Sequence, residues 1–230
     1  MNRLRILITG YSGMIGSRVA KRLTEQGHEV AGIDNYSVGV RKENNERVKK
    51  YILDIRSKDK LKQVFGLFKP NVVIHLAAVH HIPTCETLRT YSQEVNIIGT
   101  ENILDCCKAS YVNKLFIASS GAIYDWKDGL LSEEDPIKPY DNYSICKLTN
   151  EYQLKAFAYN NRNKICCAFR IFNTIAYDDP NAHLIPDIIS QIDFKQKKQT
   201  INLGNTNSFR DYCHADDIAY AIVKIILSKN

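Results

Sequence analysis

The sequence has few of the features that mark membrane, metal-binding or disulfide-rich proteins. It contains no apolar run long enough to cross a bilayer, and the apolar stretch in MNRLRILITG at its start is too short for a secretory signal. Its seven cysteines form no CxxC pair and no His/Cys spacing of the kind that holds zinc. We therefore expect a cytoplasmic protein with reduced thiols, no membrane partner and no metal site.

Long runs of charge of one sign are also missing. The formal net charge is +6, but the basic residues are scattered, and the densest groups are KK at 49–50 and KQKK at 195–198. Such short groups are typical of a solvated surface, so nucleic acid is not an expected partner. A mild positive balance suits an anionic small molecule such as a nucleotide diphosphate.

What the chain does have is a regular alternation of short apolar runs and segments of helical periodicity. We predict strands at 4–9, 28–34, 51–55, 71–78, 114–120 and 165–172, and helices at 14–27, 86–110 and 140–161. Strands that alternate with helices form right-handed βαβ units, and strands buried on both faces have no polar alternation. The predicted fold class is therefore α/β, with a doubly wound parallel sheet of the Rossmann type.

The turn from the first strand to the first helix is rich in glycine, with the sequence TGYSGMIG at 9–16. Gly10 permits a tight turn, Gly13 lets the backbone approach a pyrophosphate, and Gly16 lets the helix pack closely on the strand. Free N–H groups at the start of the helix favour phosphate. Asp34 ends the next strand, where its carboxylate would bind ribose hydroxyls and repel a 2′-phosphate. The pattern predicts a dinucleotide site that prefers NAD to NADP.

A second pattern, NYSICK at 142–147, contains Tyr143 and Lys147 one helical turn apart. On its own the pair is compatible with two ordinary surface residues of a helix. A phenol is a poor base at neutral pH, and a lysine ammonium one turn away would stabilise the phenolate and lower its pKa. The segment ASSGAIY at 118–124 adds Ser120 at the end of the fifth strand.

Together these segments resemble the extended branch of the short-chain dehydrogenase/reductase superfamily, and the chain is identified as a member of its NAD-dependent epimerase/dehydratase family. The glycine spacing GxxGxxG, the serine that ends the fifth strand and the Tyr-xxx-Lys pair carry the resemblance. Further matching segments are DNYSVG (34–39), LDIRS (53–57), VIHLAA (73–78), VNIIGTENIL (95–104), FRIFNTIAY (169–177) and RDYCHADD (210–217). The match extends over essentially the whole chain, in the family's order.

The resemblance implies roles for individual residues. Tyr143 would be the catalytic base and acid, Lys147 would tune it, and Ser120 would bind the reacting oxygen. The implied cofactor-binding residues are Gly10, Gly13, Met14, Ile15, Gly16, Asp34, Asn35, Asp54, Ile55, Leu76, Ala77, Ala78, Asn96, Tyr143 and Lys147. The implied substrate-binding residues are His81, Ser120, Asn173, His183 and Arg210. Arg210 is also compatible with a surface ion pair to a neighbouring aspartate.

Residues after Ser120 separate the reactions of the family. Dehydratases carry Asp-Glu there, whereas this chain has Gly121 and Ala122, which transfer no protons. The resemblance therefore implies a nucleotide-sugar 4-epimerase that uses NAD at sugar C4, with a UDP-hexose or UDP-N-acetylhexosamine favoured. A reductase or dehydratase of the same family remains an alternative, as does a non-catalytic NAD-binding protein.

Domain organisation follows from the same resemblance. Residues 1–172 would form the NAD-binding domain, and residues 173–230 would form a small, incomplete substrate-binding lobe with a returning helix. Family members often dimerise through two long helices, here 86–110 and 140–161, so a homodimer is expected.

Overall fold

The computed structural model describes residues 3–38, 45–179, 183–207 and 209–228. Its main sheet is parallel throughout, with strand order β3-β2-β1-β4-β5-β6. The strands are β1 Arg5–Thr9, β2 Glu29–Asp34, β3 Val48–Ile52, β4 Val72–His75, β5 Lys114–Ser120 and β6 Ile165–Ile171. The chain reverses its direction of winding between β1 and β4. This arrangement confirms the predicted doubly wound α/β fold.

Helices cover both faces of this sheet. They are α1 Met14–Glu25, α2 Lys58–Phe68, α3 Ile82–Thr87, α4 Arg89–Gln93, α5 Gly99–Lys108, α6 Asn142–Asn160, α7 Leu184–Ser190 and α8 Ala215–Leu227. One core lies under α2, α5 and α6, and includes Leu7, Leu61 and Leu154. The other lies under α1 and α8, and includes Ile6 and Ile222. Alternate residues of β1 therefore enter opposite cores, as a central strand requires.

One predicted strand differs from the structure at the sheet edge, and one helix was not predicted. The third strand was expected at 51–55 but spans Val48–Ile52, because this strand is at the edge of the sheet and tolerates the exposed Lys49 and Lys50. Sequence analysis also missed α2, although its buried residues recur at helical spacing.

Two other predicted elements are shorter than expected. The strand predicted at 71–78 ends at His75, so residues 76–78 leave the sheet as a loop. The single helix predicted at 86–110 is divided into α4, a π-helical turn at Glu94–Ile98, and α5. Side chains of α6 donate to two carbonyls of this turn: Asn150 to Asn96 at 2.7 Å and Gln153 to Ile97 at 3.1 Å. These cross-helix bonds satisfy carbonyls within the irregular turn.

A small second sheet follows β6. Strand β7, Asn173–Ile175, pairs in parallel with β8, Tyr212–His214. Helix α8 then returns and buries Ala219 and Val223 in the core that it shares with α1. In the described part of the chain, no helix combines the length and the apolar character needed to cross a membrane.

Candidate active site

The glycine-rich turn brings three chain segments into close contact. Gly10 has φ of 71°, and a Cβ there would lie 2.7 Å from the backbone nitrogen of Ala77. A Cβ at Gly16 would lie 2.2 Å from the Gly10 carbonyl oxygen. Gly13 begins α1 without a side-chain cap, so the first N–H groups of this helix remain open to a ligand. Met14 and Ile15 form the first turn of the helix and are partly exposed.

Ser12 is a residue of this turn that sequence analysis missed. Its hydroxyl oxygen is buried and has no hydrogen-bond partner among the described residues. A buried hydroxyl without a partner is costly, and a phosphate oxygen would accept its hydrogen bond. The signal in the sequence was its position, between the first two glycines.

Asp34 lies at the end of β2 beside this turn. Its carboxylate accepts hydrogen bonds from the backbone nitrogens of Ser12, at 3.1 Å, and Tyr36, at 2.9 Å. A carboxylate has about four acceptor sites, so capacity remains for ribose hydroxyls. The last residue of DNYSVG, Gly39, lies outside the described residues.

Asn35 and Asp54 are adjacent, with the Asn35 amide donating to the Asp54 carboxylate at 3.1 Å. Arg56 forms a bidentate ion pair with Asp54, and this hydrogen bonding lowers the pKa of Asp54. The Ile55 side chain is buried against Gly99. Asp54 and Ile55, the two predicted cofactor-binding residues in the loop after β3, therefore both contact other residues of this protein.

The loop that leaves β4 forms another wall of the site. Leu76, Ala77 and Ala78 are partly exposed there. Asn96 is only 1 % exposed, and its amide pairs with both the N–H and the carbonyl of Val79, at 2.8 and 2.9 Å. The described contacts of the Asn96 side chain thus hold this loop in place.

The structure brings Ser120, Tyr143 and Lys147 together at the carboxyl end of β5. Ser120 is close enough to the Tyr143 phenol to lower its pKa, and the Ser120 hydroxyl accepts from the Ala122 nitrogen at 3.1 Å. The Lys147 ammonium donates to the Ala118 carbonyl at 2.7 Å and lies 5.8 Å from the centre of the Tyr143 ring. All three therefore surround one point where a hydroxyl group could react.

Electrostatics at this point differ from the expectation that lysine lowers the tyrosine pKa. Burial raises the pKa of Tyr143 to about 12, against the opposing effect of the Ser120 hydrogen bond. Burial also lowers the pKa of Lys147 to about 8. The Lys147 ammonium donates to a β5 carbonyl and faces the ring of Tyr143, and its charge does not offset the burial of the phenol. In the protein alone, desolvation outweighs the charge of the lysine.

Glu151 and Arg170 support this triad from behind and were not predicted. Glu151, one turn after Lys147 on α6, accepts from the Ser119 hydroxyl at 2.5 Å. Arg170 on β6 pairs with both oxygens of Glu151 and donates to the Tyr124 hydroxyl at 2.7 Å. The network ties α6 to β5 and β6, which fixes the helix that carries Tyr143. The available signal was the single charged residue Glu151, one turn after Lys147.

Three histidines meet at the mouth of the site. The ring of His183 lies 6.2 Å from that of His80 and 6.1 Å from that of His81. His81 contacts the Thr84 hydroxyl at 2.8 Å, and His183 contacts Asp179 at 2.7 Å. Within the described ranges, no group of three or more His, Cys, Asp or Glu side chains is arranged to hold a metal ion.

Asn173 and Arg210 lie further along the chain, around the second sheet. The Asn173 amide donates to the Asp211 carbonyl at 3.1 Å. The Arg210 guanidinium lies 4.7 Å from the ring centre of Trp126, a residue that is 68 % exposed. The sequence left open a surface ion pair between Arg210 and a neighbouring aspartate. No such ion pair is found among the described residues.

Known proteins share this sequence pattern and fold. The NAD dependent epimerase/dehydratase family matches residues 6–230. A putative UDP-glucose 4-epimerase of Methanocaldococcus jannaschii is 31 % identical over 98 % of this chain and 74 % of its own length. The chain thus spans about three quarters of that relative.

Solved structures agree with this result. The UDP-glucose 4-epimerase of Thermus thermophilus, in complex with NAD, has a TM-score of 0.87 and 27 % identity, covering 98 % of this chain and 75 % of its own. The UDP-N-acetylglucosamine 4-epimerase of Methanobrevibacter ruminantium, in complex with UDP-N-acetylmuramic acid, has a TM-score of 0.86 and 25 % identity. That match covers 100 % of this chain and 75 % of the other. The chain belongs to the NAD dependent epimerase/dehydratase family.

Proposed function

We propose that the protein is a nucleotide-sugar 4-epimerase that works by transient NAD-dependent oxidation at sugar C4. The observation that carries the proposal is the convergence of Ser120, Tyr143 and Lys147 at one point on the carboxyl edge of the sheet. The glycine-rich turn opens on the same edge, at the crevice where the winding direction reverses. The identified relatives include UDP-glucose and UDP-N-acetylglucosamine 4-epimerases.

The residues of the turn fit a dinucleotide. The backbone at Gly10, Gly13 and Gly16 has no side chains that would fill the cradle, and the uncapped start of α1 offers N–H donors to a pyrophosphate. The Ser12 hydroxyl offers another donor. Asp34 would accept hydrogen bonds from the adenosine ribose, which favours NAD. The remaining predicted cofactor residues, from Asn35 to Asn96, line or support the same edge.

When bound, NAD would supply a group that can accept a hydride from sugar C4 and give it back. Tyr143 takes the proton of the C4 hydroxyl and later returns it to the C4 oxygen. Ser120 hydrogen-bonds that oxygen and holds it beside the phenol. Lys147 would orient the nicotinamide ribose, and its positive charge would favour the deprotonated phenol. In the free protein, burial raises the pKa of Tyr143 to about 12, so the phenol is protonated at neutral pH.

Epimerisation is favoured over dehydration by the surroundings of Gly121. A Cβ at this position would lie 2.7 Å from the ring of Phe172, so the space for an acidic side chain is occupied. Ala122 also carries no proton-transferring group. Neither position after Ser120 therefore supplies the acidic side chain of a dehydratase, whereas oxidation and reduction at C4 need only Tyr143.

For the substrate we propose a UDP-hexose or UDP-N-acetylhexosamine, as in the named relatives. His81 and His183 lie at the mouth of the site, where they would contact the sugar and diphosphate. Asn173 and Arg210 lie around the second sheet, and the Arg210 guanidinium is suited to a phosphate. We also propose that residues 1–172 form the NAD-binding domain and residues 173–230 a partial substrate lobe with a returning helix, α8, which packs on α1.

The proposal is tested by proton NMR of UDP-glucose, UDP-galactose and their N-acetyl forms, each incubated with the chain and catalytic NAD+. We expect the C4 epimer of at least one sugar to appear. Tyr143→Phe should lower the rate at least ~100-fold, within the usual range for loss of a general acid/base, while NAD+ binding remains. Release of NADH together with an oxidised sugar, and no epimer, would instead identify an oxidoreductase of the same family. No change in any sugar would refute UDP-sugar epimerisation by this chain.

Two wider assignments accompany the activity. A homodimer is supported by exposed apolar side chains on neighbouring helical surfaces, namely Ile98, Ile145, Tyr152 and Tyr159. A cytoplasmic location is supported by the seven cysteines, all of which are free thiols.

A further inference from the structure

His75, the last residue of β4, is buried beneath the site, and none of the roles above uses it. It is 5 % exposed. Its Nδ1 lies 2.6 Å from the hydroxyl oxygen of Thr9, and its Nε2 lies 2.9 Å from that of Thr100. Thr9 immediately precedes Gly10, and Thr100 lies in the first turn of α5. The imidazole therefore joins the glycine-rich turn to the helix behind it.

The hydrogen-bond partners fix which nitrogen carries the proton. Thr100 has one hydroxyl hydrogen and donates it to the Asn96 carbonyl at 2.6 Å. Because the Asn96 carbonyl is nearer to this hydroxyl than Nε2 is, we assign the hydrogen to that carbonyl, so that Nε2 of His75 donates to Thr100 and Nδ1 accepts from the Thr9 hydroxyl. A lone pair of the Thr9 oxygen then accepts the Ala77 N–H at 3.3 Å. This order admits one neutral tautomer.

The chain of hydrogen bonds continues to the catalytic helix. The Asn96 carbonyl also accepts from Asn150 of α6 at 2.7 Å. Ala77, at the other end, is the residue whose backbone a side chain at Gly10 would strike. Burial, together with the nearby charge of Lys147, lowers the pKa of His75 to about 3, so the imidazole stays neutral under ordinary conditions.

We propose that His75 is a positioning residue for the cofactor. Its Nε2–H tautomer holds the Gly10 turn and the Ala77 loop in the arrangement that binds NAD, and it ties both segments to α6. The inference rests on the proposed function, since NAD is the ligand assumed. His75 itself lies beneath the turn and acts through Thr9 and Thr100. It transfers no proton in the reaction.

The tautomer is tested directly by nitrogen NMR of the protein labelled with 15N-histidine, with His75→Gln used to assign the signals. We expect His75 to show a protonated Nε2 and an unprotonated Nδ1 at pH 7. A protonated Nδ1, or an imidazolium, would overturn the hydrogen-bond order. This measurement needs no ligand.

Positioning is tested by NAD+ affinity of folded variants. In His75→Gln, the amide offers one acceptor and one donor about as far apart as the imidazole nitrogens, so we expect a Kd within about threefold of wild type. In His75→Leu, which offers neither, we expect a Kd raised at least about tenfold.

His28→Leu is the matched control. His28 is also a buried histidine that accepts a backbone N–H, from Leu4 at 3.2 Å, but it precedes β2 at the opposite end of the sheet. Its loss should leave the Kd unchanged.

A second pair of variants covers the case in which His75→Leu does not fold. Thr100→Val removes the hydroxyl with little change of shape and should weaken NAD+ binding, whereas Thr100→Ser should restore it. Normal NAD+ binding by folded His75→Leu or by Thr100→Val would overturn the positioning role alone. A wild-type chain that bound no NAD+ would overturn the proposed function, and the two failures are thus distinguishable.

Discussion

At the scale of the residue, Lys147 is a buried charge that destabilises the folded protein. Burial also disfavours the charged form of the ammonium, because it removes the group from water. Lys147 is 5 % exposed, and its ammonium donates a hydrogen bond to the Ala118 carbonyl. Its pKa is about 8 in the folded protein, below the ordinary 10.5. Below about pH 8 both folded and unfolded chains hold the proton, so the folded state bears the full desolvation cost. That cost falls as the pH rises from about 8 to about 10.5.

We therefore predict that Lys147→Met stabilises the free protein while it abolishes activity. The depressed pKa corresponds to about 3 kcal/mol, from which loss of the charge-assisted bond to Ala118 subtracts about 1.5 kcal/mol or more, so a gain of up to about 1.5 kcal/mol is expected at pH 7. Urea denaturation at pH 7 and pH 10 measures it, and the gain should shrink at the higher pH. The exposed Lys155 of the same helix provides the control, since Lys155→Met should change stability little at either pH.

Asp34 supports a second prediction at this scale. Its carboxylate sits beside the turn that would hold the pyrophosphate and would repel a 2′-phosphate. Asp34→Asn should reduce the preference for NAD+ over NADP+ about 10- to 100-fold, the usual effect of removing a partly buried like charge. Fluorescence titration with both cofactors measures the ratio. The same change at Asp54, whose charge Arg56 already compensates, should leave the ratio nearly unchanged; an equal effect at both positions would contradict the assignment.

At the scale of the element, the start of α6 determines where the phenol lies. Asp141 accepts the Ser144 N–H at 2.7 Å, and the Ser144 hydroxyl accepts the Asp141 N–H at 3.1 Å, which together form a capping box. Tyr143 lies inside this box. Asp141→Ala should lower the free energy of unfolding by about 1 kcal/mol and should reduce turnover more than NAD+ affinity.

Asp141→Asn is the matched variant, because asparagine also caps helices but has no charge. It should retain wild-type stability in urea denaturation. Removing the Asp141 charge also removes one of the influences that raise the Tyr143 pKa, so turnover should not fall. A loss of turnover in the asparagine variant equal to that in alanine would show that the charge, and not the cap, is required.

The elements differ in how far the sequence predicts them. The bounds of β1, β5 and α1 were predicted to within two residues. An apolar run marks each of the two strands, and Gly27, which adopts a left-handed conformation, follows the helix. β3 was misplaced because its burial is set by its neighbours in the sheet. The π-helical turn could not be predicted, because its carbonyls are satisfied by Asn150 and Gln153, more than fifty residues away.

The same limit applies to the site. Glycine spacing, Ser120 and the Tyr143–Lys147 pair are local patterns whose geometry the fold reproduces. Local spacing carries no information on the link between Thr9, His75 and Thr100, which joins three elements through side chains. Nor does it predict that burial would raise the Tyr143 pKa, since desolvation depends on packing in three dimensions.

At the scale of the whole molecule, the exposed apolar residues of the π-helical turn and α6 lie on adjoining elements, linked by the bond from Gln153 to Ile97. Ile98 is 55 % exposed and Tyr152 is 62 % exposed. Two copies packed on this surface would form a four-helix contact that covers these side chains. The interface would also press on α6, which carries the phenol, so dimerisation and turnover should be linked.

We predict a mass of twice 26.3 kDa by size-exclusion chromatography with light scattering. Ile98→Glu should shift the protein toward monomer and lower turnover, because a buried unpaired charge opposes association. Leu67→Glu places the same charge on α2, a helix outside the proposed interface, at a residue that is 69 % exposed. It should remain a dimer. A wild-type protein that is monomeric at micromolar concentration, or a Leu67→Glu variant that dissociates equally, would contradict this interface.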